Sequence, residues 1–115
     1  MIILTAILIT AAAAPLPVDP RYCAVAPVRA SDGRIARSAA AKTAFRRVHP
    51  CPSTREIRGA CPGWAVDHVI PLACGGCDAI GNLQWMPLPT KSASGVLPKD
   101  RWERPVYCHN GAGRA

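Results

Sequence analysis

Six cysteines in a chain of 115 residues are the tightest constraint on what this sequence can fold into. A chain of this length supports one compact domain with a small core, and small exported domains commonly hold such cores together with cross-links. The cysteine count is even, and Cys23, Cys51, Cys61, Cys74, Cys77 and Cys108 span most of the chain. Disulfides require an oxidising compartment, so the N-terminus matters next. Residues 1–18 hold no charged side chain, and residues 1–14 have the apolar run and small-residue end of a secretory leader, too short to span a bilayer. The leader lacks a basic start, and Pro15 disfavours cleavage after Ala14, which makes Ala13 the better site. The chain is therefore expected to be exported, periplasmic or secreted.

Local geometry suggests the pairing. Cys51 and Cys61 flank a turn, Cys74 and Cys77 bracket Gly75 and Gly76, and Cys23 and Cys108 are left to join the chain ends. The competing reading is a structural zinc held by Cys74 and Cys77 with Cys51 and Cys61. All of the net charge of +7 lies beyond the leader, and the pI is about 9.5. Such a basic chain suits a polyanion such as nucleic acid, but equally an anionic membrane surface or plain solubility. The expectation is a monomer that has no membrane attachment once the leader is removed.

Four prolines make residues 15–30 an extended arm anchored by Cys23. An Ala-rich, basic segment beginning at Ser31 or Ser38 and running to about Val48 predicts a helix capped by one of those serines. Ile35, Ala39, Phe45 and Val48 would form its apolar side. Residues 51–63 read as turns, Trp64 to Ile70 as a strand ending at Pro71, and Asn82 to Met86 as a second strand. A short helix is expected from Pro98 to Glu103. The order helix, strand, strand, helix implies an α+β domain over residues 31–108, with residues 109–115 as a tail.

One ordered series carries the chemical signal. Val66-Asp67-His68-Val69-Ile70-Pro71-Leu72 is followed by Gly75-Gly76, Asp78, Asn82-Leu83-Gln84-Trp85 and Lys99-Asp100-Arg101-Trp102-Glu103, and preceded by Cys61-Pro62-Gly63-Trp64. The series resembles the HNH endonucleases, in particular small phage-like and bacterial members, over about residues 31–104. The resemblance implies a ββα-metal core and a metal-dependent nuclease acting on nucleic acid, with DNA the expected substrate. Phosphodiester hydrolysis needs a deprotonated water, a cation for the developing charge, and rigid aim. Histidine as a residue type is suited to the first task, since its unperturbed pKa is about 6.5, and His68 takes that role. Asp67 would ligate Mg²⁺ or Mn²⁺, with Zn²⁺ or Ni²⁺ as alternatives. Adjacent strand residues point to opposite faces, so the strand must bend for Asp67 and His68 to serve one site. Asn82, in this family, either fixes the loop bearing the histidine, which is the expected role here, or ligates the metal.

The sequence departs from the family at the third letter. Nine residues beyond Asn82, where many members carry a metal-binding histidine, stands Lys91, and a protonated lysine ligates no cation. His109, folded back by Cys108, is a substitute ligand, although a surface role fits it better. Arg37, Lys42, Arg46, Lys91, Lys99 and Arg101 are the candidate phosphate contacts, each also readable as solvated charge. Trp64, Trp85 and Trp102 read as core. Two rival functions remain: a nucleic-acid-binding module on an inactive scaffold, and a cysteine-stapled secreted interaction protein.

Overall fold

The structure, a computed structural model, describes residues 1–10, 19–23, 26–92, 95 and 97–108. Cleavage at Ala13, the arm over residues 15–18, His109 and the tail over residues 109–115 lie outside the described residues. Residues 1–10 are exposed and form no regular element. No helix among the described residues is long and apolar enough to cross a membrane.

Helix α1 spans Ala39–Val48. Ser38 starts it, its Oγ accepting from the Ala41 amide at 3.1 Å and so satisfying one of the unpaired N–H groups of the first turn. Ser31 cannot start it, because Arg29 and Ile35 bridge across a tight turn with Gly33 at φ 82°. The expected apolar side is correspondingly narrower. Phe45 is buried, Val48 is exposed, and Ile35 lies outside the helix.

Strands β1 (Trp64–His68) and β2 (Leu83–Pro87) form a two-stranded antiparallel sheet in which Asp67 faces Gln84 and His68 faces Leu83. β1 ends two residues earlier than its sequence predicts, because the Ile70 backbone bonds to the Asn82 side chain instead of to a strand. A one-turn helix α2 (Leu88–Lys91) follows, then α3 (Lys99–Tyr107). α3 runs past Pro105, where propensity alone stops it. Its last turn is held from outside: the Tyr22 hydroxyl donates to the Tyr107 carbonyl at 2.7 Å, and Cys108 is cross-linked. The fold is thus a small α+β domain.

Three disulfides staple it: Cys51–Cys61, Cys23–Cys77 and Cys74–Cys108. The first agrees with the sequence reading; the other two correct it, and no cysteine is left to form a zinc site. Cys74 ends a short turn of 3₁₀ helix, Gly75 is left-handed, and Gly76 bridges to Tyr22 of the arm. Cys74 is thereby presented to the end of α3 and Cys77 to the arm, so the two do not meet. Three disulfides fit an oxidising, extracytoplasmic setting.

The core is small: Phe45, Ile70, Leu72 and Leu83 with Cys51, Cys74 and Cys77. Trp85 is half-buried, its ring centroid 5.9 Å from Phe45 and its indole N–H donating to the His49 carbonyl.

Candidate active site

The loop from Val69 to Asn82 leaves β1 and returns to β2, and one side chain organises it. Asn82 is 1% exposed. Its Oδ1 accepts from the Ile70 amide at 2.9 Å, while Nδ2 donates to the Ile70 carbonyl at 2.9 Å and the Cys77 carbonyl at 2.8 Å. An amide bonded to backbone through both its oxygen and its nitrogen fixes a loop. Gly76 makes this closeness feasible. A Cβ there would lie 1.9 Å from the Ile70 oxygen and 2.8 Å from Asn82 Nδ2.

The clamped loop delivers Asp78 to His68. Asp78 Oδ1 lies 2.9 Å from His68 Nε2, and its second oxygen accepts from the Ser38 amide at the start of α1. Burial pushes the Asp78 carboxyl up, but the bonds from His68 and the Ser38 amide, with the charges of His68 and Arg37, outweigh it and hold Asp78 below its ordinary value. With Nε2–H donating to Asp78, the imidazole keeps on Nδ1 the lone pair that accepts a proton. The sequence reading quoted Asp78 within the motif but gave it no role. The pairing needs a loop geometry that residue spacing does not encode.

Asp67, one residue earlier, turns to the other face. Its Oδ1 meets Lys91 Nζ at 2.6 Å, and its Oδ2 meets Gln84 Nε2 at 2.9 Å and Lys99 Nζ at 3.1 Å. Burial alone would raise the Asp67 carboxyl; the Lys91 and Gln84 hydrogen bonds and the two lysine charges more than offset it, and its pKa is lowered. Lys99 also donates to the His68 carbonyl at 2.9 Å and pairs with Glu103 one turn along α3. Because β1 ends at His68, Asp67 and His68 still border one cleft of about 130 Å³, together with Arg37, Lys91, Glu103 and Arg104.

No family model, curated protein or solved structure matches this chain.

A second cleft is lined by Arg37, Lys42, Val66, His68 and Asp78, so His68 borders two basic-rimmed openings, with Arg37 common to both. Of the six candidate phosphate contacts, Arg37, Lys42 and Arg101 are exposed and Lys91 is partly so. Two are corrected. Arg46 is buried, donating to the Gly59 and Glu56 carbonyls and lying over Trp85, and Lys99 is 1% exposed among Asp67, Glu103 and the His68 carbonyl. Both charges are spent on the fold. Glu103 and Arg104 are cleft residues that the sequence reading did not single out.

The donor set does not fit a Mg²⁺ or Mn²⁺ ion. Such ions take hard oxygen ligands. Both Asp67 oxygens already hold ammonium groups, the Asn82 oxygen is turned to the Ile70 amide, Glu103 is paired with Lys99, and no group of three His, Cys, Asp or Glu side chains among the described residues could surround an ion.

Proposed function

We propose that this chain is a nuclease that hydrolyses nucleic acid phosphodiesters, DNA in the first instance, on an HNH-like ββα scaffold. The observation that carries the reading is the His68–Asp78 pair, held at 2.9 Å by a loop tied down through Asn82 and bordering basic-rimmed clefts. His68 takes a proton from water at Nδ1, and the freed oxygen attacks phosphorus. Asp78 keeps the ring oriented; it is a positioning residue. General base catalysis of this kind supplies roughly 10²–10⁴-fold. Arg37 and Lys42 draw in the sugar-phosphate chain, with affinity that falls as salt rises. No step is routed through a divalent ion, since the donors present do not suit one.

The test is plasmid degradation by the disulfide-bonded protein. His68→Ala should abolish cutting, and Asp78→Asn should slow it by about a hundredfold. Cutting unchanged in His68→Ala would remove the proposed base. The two ammonium groups on Asp67 favour a second reading, in which the scaffold binds DNA without cleaving it. That protein would shift DNA in a gel, in a salt-sensitive manner, yet release no acid-soluble nucleotides.

A further inference from the structure

The mismatch between the cleft and a divalent ion is itself informative. The residue nine places beyond Asn82, Lys91, lies on the carboxylate that a metal would share: its Nζ is 2.6 Å from Asp67 Oδ1. Lys99 approaches the other oxygen at 3.1 Å and ties Asp67 to Glu103. The Lys91 side chain is 30% exposed and borders the cleft beside His68, whereas that of Lys99 is 1% exposed. The cleft walls set two carboxylates, Asp67 and Glu103, against Arg37, Lys91 and Arg104, with Lys99 behind. An added dication would have to displace two ammonium groups and enter a site already in positive excess, while a phosphate is attracted to it.

We propose that Lys91, braced by the Asp67–Lys99–Glu103 ion-pair chain, supplies the positive charge a metal would otherwise provide, so that hydrolysis at His68 proceeds without a divalent ion. The proposal rests on the nuclease reading above. Water loses one proton to His68 Nδ1 and its oxygen bonds to phosphorus. The bond from phosphorus to the leaving sugar oxygen breaks, and that oxygen takes a proton from the Lys91 ammonium. The proton on His68 passes to solvent and Lys91 takes one back, so the net change is phosphodiester plus water giving phosphomonoester plus alcohol. Asp67 and Lys99 are positioning residues, and Lys91 is the catalytic one.

The experiment compares wild type, Lys91→Met and Lys91→His on a labelled DNA duplex, in excess EDTA and with added Mn²⁺, alongside calorimetric titration of each protein with MnCl₂ alone. Lys91 is chosen because it is partly exposed and its replacement leaves the buried Lys99 in place. Expected are wild-type cutting in EDTA within about threefold of that in Mn²⁺, no resolved Mn²⁺ binding by wild type, and a loss of about a hundredfold in Lys91→Met assayed well below its own thermal midpoint. Lys91→His, which restores the family's third letter, should bind Mn²⁺ and cut only with it. Wild-type cutting that EDTA abolishes and Mn²⁺ restores would overturn the proposal while leaving the nuclease reading intact. No cutting by wild type in either condition would overturn the nuclease reading and this proposal with it.

Discussion

At the scale of single residues, the fold puts one buried carboxylate and one loop carboxylate to different uses. Asp67 is an ion-pair hub that holds Lys91 over the cleft and Lys99 beneath it; Asp78 orients an imidazole. Both carboxyls have folded pKa values below the ordinary 3.8. A depressed carboxyl contributes stability that is fully present above its unfolded pKa and is lost as pH falls through its folded value. Stability should therefore hold at neutral pH and decline as the pH drops below about 4. Urea midpoints measured from pH 7 to pH 2 should show that decline, and in Asp67→Asn the acid limb should be shallower. Equal acid slopes in the two proteins would show that Asp67 carries none of it. Asp67 and His68 were legible in the sequence because the motif names them. Asp67's partners were not, since Lys91 and Lys99 reach it only once α2 and α3 fold back over β1.

At the scale of elements, the loop between β1 and β2 is the part on which the site depends. It gives Ile70 and Leu72 to the core and is held further by Asn82, by the Tyr22–Gly76 bridge and by two cross-links. Gly76 is where these meet, so Gly76→Ala would drive a methyl group into the Ile70 carbonyl and prise Asn82 from its partners. A loss on the order of 2–4 kcal/mol is expected from strain plus unpaired buried amide groups. Urea denaturation would read it, and an unchanged midpoint would contradict the role given to Asn82. Strand and helix positions were largely legible from β-formers, prolines and the Ser38 cap. The boundaries that differed, at Ile70 and beyond Glu103, are those where a distant side chain or cross-link took over the backbone's local preference.

At the scale of the whole molecule, the small core leans on its cross-links. Cys23–Cys77 closes 54 residues and Cys74–Cys108 closes 34, against 10 for Cys51–Cys61. Chain entropy then assigns about 4 kcal/mol to each of the longer pairs and about 3 kcal/mol to the short one. Paired Cys→Ser variants should follow that order in thermal midpoint. The two longer links also hold the loop that carries Asp78, so their removal should slow plasmid cutting even where the protein stays folded, whereas the Cys51/Cys61 double variant should keep its rate. Equal loss of cutting in all three would show that the cross-links act on global stability alone.

What the sequence determined by itself was the α+β order, the even set of cross-linking cysteines and the basic charge, because these follow from local pattern and residue chemistry; it singled out His68, Asp67 and Asn82 as candidates without their partners. Which cysteines join, which carboxylate faces the imidazole and which cations sit on Asp67 were decided by tertiary structure alone. Those choices depend on the direction a loop takes through space. Here that direction is set by an asparagine amide, a glycine without room for a methyl group and an arm arriving from the far end of the chain.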